Sequence, residues 1–239
     1  MSEISSFIES KEQIKEQIKD RYEIVTVSHP KIEDNYGIIS IVKVKLDNSK
    51  AEPLVVFPGY SNNSFETGFD KVLSGFDTIK KNYSVMYYFC WGSTLKKLSD
   101  TYADHGKDDD EKFKLNDELK IKVAHVADKI LRSPEMELTN FSLLAKSAGA
   151  GIAIFLTSIN MEIKKLYIAC PAITAGAAPL AKRKEVPIKL SWNEDDNKVE
   201  YAVSKILIKQ MKEQKNKFEF FSYKVGGHEF NTEFIKNEL

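Results

Sequence analysis

The 239 residues are 42% hydrophobic and 29% charged, which is enough apolar material for one sizeable core, at most two small ones. Lysine plus arginine (35) equals aspartate plus glutamate (35), so no net field draws the chain to nucleic acid or to an anionic membrane. The first twenty residues, MSEISSFIESKEQIKEQIKD, lack the basic leader and apolar core of a secretory signal, and the apolar stretch 148–156 is too short to span a bilayer. Two cysteines far apart, Cys90 and Cys170, read as free buried thiols, and the expected compartment is cytoplasmic.

Taken in chain order, Phe7, Ile8, Ile14 and Ile18 recur among charges with the spacing of a surface helix over 7–20. Two β-rich runs follow at 22–28 and 36–46, with His29-Pro30 and Asp34-Asn35 as turn residues between them, and predict an antiparallel hairpin. From residue 53 short apolar runs alternate with longer helical stretches. The runs are 53–57, 84–89, 141–144, 165–169, 187–192 and 218–223, and the helices fall at about 65–80, 112–132, 148–160 and 197–215. Runs that are apolar on both faces belong to strands covered by helices on each side, hence to a mostly parallel, doubly wound α/β sheet. The expected plan is one domain over 1–239: an N-terminal helix to residue 20, a hairpin over 21–47 and a parallel core over 53–239. The charged segment 100–118 reads as a solvated loop feeding a helix.

Chemistry concentrates after the strands. The run 141–144 passes through Ala145-Lys146-Ser147-Ala148-Gly149 into helix-forming GIAIFL. A strand, a tight turn and a helix are the setting of a nucleophile elbow, in which a strained serine needs small neighbours two positions away on each side, here Ala145 and Gly149. The Ala148 backbone N–H, at the helix N-terminus, would then point at a developing oxyanion. The bland reading of the same string is a small-residue turn packing a helix onto a sheet.

AKSAG after a strand, with VVFPGYSNN far upstream, resembles the α/β-hydrolase superfamily in its small, lidless, esterase- or thioesterase-like form, over about residues 53–239. Alanine stands at 145 where the usual elbow has glycine. The resemblance implies that Ser147 is the nucleophile and that the Tyr60 backbone N–H, after Pro58-Gly59, is the second oxyanion donor, with Gly59 letting the loop turn back. Proline replaces the family's histidine at 58, and an ordinary Pro-Gly turn is the alternative. Ser61, Asn62 and Asn63 would line the entrance. Asn193-Glu194-Asp195-Asp196-Asn197-Lys198-Val199 looks like the family's Gly-x-x-Asp-x-x-Val loop. Asn193 replaces its glycine, a mild exchange if the backbone needs positive φ, because asparagine tolerates it. Asp196 is then the acid, with Asp195 the alternative, although three carboxylates also suit a plain helix start. His228, in a Gly-Gly loop after the last strand, takes the place of the base, in the order serine, aspartate, histidine.

The other histidines carry less: His29 is a turn residue, His105 sits in a charge run without metal-ligand spacing, and His125 lies on an amphipathic helix. No Cys-x-x-Cys, Gly-x-x-x-x-Gly-Lys or Gly-x-Gly-x-x-Gly occurs, so no cofactor and no metal are expected. The expected activity is serine hydrolysis of a carboxylic ester or thioester of a small or exposed acyl substrate through an acyl-enzyme, with no nucleic acid partner. Only residues 171–186 separate the last central strand from the acid-loop strand, too few for a helical lid. Lys146 and the run Lys182-Arg183-Lys184 near the cleft would favour an anionic acyl group or carrier, but the reading preferred for them is a solvated basic turn. Two alternatives stand: a catalytically inactive binding or scaffold protein of the same fold, and a peptidase or acyltransferase using the same triad.

Overall fold

The computed structural model describes residues 20–28, 38–60, 64–91, 109–136 and 138–239, together with Ser5, Ile8, Glu16 and Ile18. The strands are β1 (Tyr22–Ser28), β2 (Ile38–Lys45), β3 (Leu54–Phe57), β4 (Val85–Phe89), β5 (Phe141–Lys146), β6 (Ile163–Ala169), β7 (Ile188–Asn193) and β8 (Phe218–Tyr223). They form one 8-stranded sheet in the order β1-β2-β4-β3-β5-β6-β7-β8. β2 runs antiparallel to β1 and to β4, and every other pairing is parallel. The hairpin and the doubly wound core both agree with the sequence expectation. In the central strands the apolar runs are buried along their whole length: every residue of β3 and β5 is buried. Burial on both faces needs helices on both faces.

Those helices are α1 (Ser64–Leu73), α2 (Phe76–Asn82), α3 (Asp109–Leu131), α4 (Ser147–Thr157), α5 (Tyr201–Glu213) and α6 (Thr232–Glu238), with a 3-10 turn at Ala178–Lys182. α1 and α2 pack with α6, while α3 packs on α4. α4 is the central helix. It is apolar and small all round, SAGAGIAIFLT, and nearly every residue is buried. Short side chains let it lie directly on β5 and β3.

Three expectations need correction. The helix expected over 65–80 is two helices, broken at Ser74-Gly75. A Cβ at Gly75 would lie 2.3 Å from Ile235 Cγ2, so the break is where α6 docks. The charged stretch expected as a loop over 100–118 is helical from Asp109, and Asp117 is buried within it. Its carboxylate pairs with Lys120 (3.0 Å) and accepts the N–H groups of Thr174 (3.0 Å) and Ala175 (2.7 Å). A charge meant for solvent instead ties α3 to the loop after β6. Of the thiols, both are free and Cys170 is buried, but Cys90 is only half-buried. The N-terminal helix is described only at Ser5, Ile8, Glu16 and Ile18; all four are helical, and Ile8 and Ile18 are buried. His29, Ser61, Asn62, Asn63 and His105 lie outside the described residues, and His125 is exposed on α3. Among the described residues no helix is long and apolar enough to cross a membrane.

Candidate active site

Parallel strands bring their carboxyl ends to one edge, and the expected site residues all follow such ends. At the end of β5 the backbone turns abruptly. Lys146 is extended (φ −129°, ψ 145°), and Ser147 has φ +55° and opens α4. A left-handed serine costs about 1–3 kcal/mol and persists only where its surroundings enforce it. The enforcement is visible. A Cβ on Gly149 would fall 2.2 Å from the Pro58 carbonyl oxygen, so the loop after β3 lies against the first turn of α4. A Cβ on Gly59 would sit 2.9 Å from Ser147 Cβ and 3.4 Å from its Oγ. Ala145 is fully buried beneath the turn, and the Ala172 N–H donates to the Ser147 carbonyl (3.0 Å) from the far side. At the end of β3 and β4 the rings of Phe57, Phe89 and Trp91 meet edge to face or tilted, at centroid distances of 4.5–4.9 Å. Ala148 follows Ser147 in the first turn of α4, where backbone N–H groups have no intrahelical partner. Tyr60, half-buried, comes next after Gly59 on the facing loop.

The imidazole reaches this turn from the opposite side. His228 Nε2 lies 2.8 Å from Ser147 Oγ, and His228 Nδ1 lies 2.8 Å from Asp196 Oδ2 and 3.1 Å from Oδ1. With a carboxylate on Nδ1, that nitrogen carries the proton, so Nε2 accepts from the serine hydroxyl. The Asp196 side chain is 0% exposed, and its Oδ1 also accepts the N–H groups of Lys198 (2.9 Å) and Val199 (3.0 Å). The His228 side chain keeps 20% exposure and so faces the open side of the edge. Ser147, His228 and Asp196 are thus brought together.

Asp195, the alternative acid, does not touch the ring. Its two oxygens accept the N–H groups of Gly227 (2.8 Å) and Gly226 (3.2 Å). Asn193 takes a part the sequence did not suggest. It needs no positive φ, for it closes β7 in extended backbone. Its amide donates to the carbonyls of Gly227 (2.9 Å) and Glu229 (3.0 Å), and its oxygen accepts from Asn231 (2.9 Å). Lys146 donates to the His228 carbonyl (2.9 Å) and to Glu229 Oε2 (2.6 Å). The loop that carries the imidazole is therefore held from several directions through its main chain. Only the polarity of these three residues beside the motifs hinted at such a part.

The lysine and arginine run expected near the cleft is elsewhere. The Arg183 guanidinium donates to the carbonyls of Asn160 (2.8 Å) and Ile163 (3.4 Å), at the amino end of β6, and pairs with Glu185. That is the edge opposite Ser147, and Lys146 is already partnered, so neither supplies an unpaired cation for an acyl anion.

Cys170 follows β6 beside this group. One ligand atom each from Cys170, Asp196 and His228 lies within 4.8 Å of the others. Burial pushes the Cys170 thiol well above its usual range, keeping it protonated, and both His228 nitrogens are engaged. The cluster offers an ion neither a thiolate nor a free imidazole.

No protein-family model matches the chain, and no curated protein matches its sequence. Solved structures do. The esterase Pf2001 of Pyrococcus furiosus superposes with a TM-score of 0.60 at 16% identity, over 92% of this chain and 88% of that one. Est1E from Butyrivibrio proteoclasticus gives 0.57 at 13% identity, over 90% and 96%. The acylaminoacyl peptidase of Pyrococcus horikoshii gives 0.54 at 12% identity, over 90% of this chain but 39% of its own. A putative alpha/beta hydrolase from Agrobacterium tumefaciens, ATU1826, gives 0.55 at 13% identity, over 86% and 87%. Strand order, the antiparallel first pair and these likenesses converge: the chain has the α/β-hydrolase fold.

Proposed function

We propose that the protein is a serine hydrolase acting on a carboxylic ester or thioester with a small or exposed acyl group. The observation that carries this reading is the continuous line of hydrogen bonds from Ser147 Oγ through His228 to Asp196, at 2.8 Å on both sides of the ring. A hydroxyl so placed loses its proton to Nε2 as it attacks a carbonyl carbon, and Asp196 stabilises the imidazolium that results. The N–H groups of Ala148 and Tyr60 receive the oxyanion. Collapse of the tetrahedral species expels the alcohol or thiol with the proton from His228. Water then repeats the sequence on the acyl-enzyme, releasing the acid and restoring Ser147.

One further feature fits the size of the acyl group. The link between β6 and β7, residues 170–187, holds a single 3-10 turn and no helical lid, which suits a small or exposed acyl group.

The deciding experiment is labelling with a fluorophosphonate probe, wild type beside Ser147→Ala, together with p-nitrophenyl acetate turnover. Labelling and turnover are expected in the wild type and absent from the variant. Equal turnover by the two proteins removes Ser147 as nucleophile, and silence in both favours a binding protein built on the same fold.

A further inference from the structure

We propose that Lys146, its charge neutralised by Glu229, is a positioning residue that holds the His228 imidazole against Ser147; this rests on the hydrolase reading above. Lys146 immediately precedes Ser147, yet its side chain is only 9% exposed. Burying an ammonium is costly unless it is fully partnered, so a lysine kept here has work to do. Its stem runs beside the loop after β3: a Cβ on Gly59 would lie 3.5 Å from Lys146 Cε. Its Nζ then reaches the His228 carbonyl oxygen at 2.9 Å and Glu229 Oε2 at 2.6 Å.

These contacts close a ring of bonds through the reacting atoms. Lys146 is joined covalently to Ser147, Ser147 is hydrogen-bonded to the imidazole, and the backbone of that same histidine is bonded back to Lys146. Asn193 and Asp195 hold the loop from the β7 side; Lys146 is the contact that ties it to the nucleophile's own strand. The pair also sets the local charge. Among the described residues, the ionisable groups around His228 include Asp196 and Asp195 after β7, Cys170 after β6, Lys146 on β5 and Glu229 on its own loop, with Tyr88 of β4 in electrostatic reach of Glu229. Glu229 cancels the Lys146 charge, so the imidazolium formed during attack meets no uncompensated neighbouring cation.

The test uses Lys146→Met, Lys146→Arg and Glu229→Gln in the full chain, each checked for an unchanged thermal unfolding midpoint. Displacement of a catalytic group by about 1 Å costs on the order of 10²-fold, so Lys146→Met is expected to lower kcat by that order with KM within about threefold. Lys146→Arg restores most of the loss. The acid limb of the kcat/KM profile moves in opposite directions. It moves to higher pH in Lys146→Met, where Glu229 is left to favour the imidazolium, and to lower pH in Glu229→Gln, where Lys146 disfavours it. Amide hydrogen exchange at residues 226–229 is read on the same proteins and is expected to quicken in Lys146→Met. A folded Lys146→Met with wild-type kcat, or with both the acid limb and loop exchange unmoved, overturns the proposal. A wild type that neither labels nor turns over sinks the hydrolase reading instead, and the exchange rates then decide whether Lys146 holds the loop.

Discussion

Asp195 and Asp196 are adjacent in sequence, yet one meets the imidazole and the other the backbone of the loop that carries it. Their substitution should separate accordingly. Asp196→Asn leaves the ring in place but removes its hold on the correct tautomer, and kcat should fall about 10⁴-fold. Asp195→Ala removes two accepted N–H bonds from an exposed turn, and a loss within about tenfold is expected, since net hydrogen bonds are worth roughly 1 kcal/mol each. Steady-state kinetics on the pair distinguishes them, and equal losses would contradict the geometry. Cys170 supplies a second residue-scale test. Buried and kept protonated, it should resist iodoacetamide in the native protein at neutral pH and react only after unfolding, as read by mass spectrometry. The meeting of Ser147, Asp196 and His228 at one edge was expected from the sequence because each follows a strand and stands where the resemblance to the α/β-hydrolase superfamily implies nucleophile, acid and base. The contacts of Asn193 and Lys146 were not. Their bonds go to carbonyl oxygens of distant residues, and a side chain that grips main chain leaves no pattern in the sequence of what it grips.

At the scale of elements, the site is a meeting of the loop after β3 with the first turn of α4, and the space between them is set by missing side chains. Gly149→Val should be among the most damaging single changes. Its Cβ would overlap the carbonyl oxygens of Pro58 at 2.2 Å and Phe57 at 2.6 Å, main-chain atoms that cannot swing aside. Overpacking of this kind costs roughly 1–3 kcal/mol or more, so a lower unfolding midpoint is expected together with loss of fluorophosphonate labelling. A variant as stable and as reactive as wild type would mean that the loop has room to retreat. Strands were easier to read than helices here, because two-sided burial leaves runs such as LVVF and FSLLAK with few polar residues. The break between α1 and α2 was hidden, since Gly75 is explained by Ile235, a residue at the other end of the chain. The burial of Asp117 was hidden for the same reason: its partners on the loop after β6 are brought near only by the sheet.

For the whole molecule, the same burial that builds the core governs its response to alkali. Burial pushes the phenols of Tyr83 and Tyr88 and the thiols of Cys90 and Cys170 above their ordinary ranges. The folded state thus holds these protons more tightly than the unfolded chain does. The contribution is complete below the unfolded values, about 8.5 for a thiol and about 10 for a phenol, and is lost as pH rises beyond them. Unfolding midpoints should therefore decline from about pH 8 to pH 11, and Cys170→Ala should soften the earlier part of that decline; a flat profile would contradict it.

The suspension of the histidine loop by its main chain has one more outcome. Lys146, Asn193 and Asp195 grasp amides and carbonyls, and even Val225 is held through its carbonyl, by Asn231 at 3.2 Å. Val225 itself is 72% exposed, and its side chain is left out of every one of these attachments. Substitution at residue 225 should therefore leave the aim of the imidazole, and with it kcat, nearly unchanged, because none of the loop's moorings passes through that side chain.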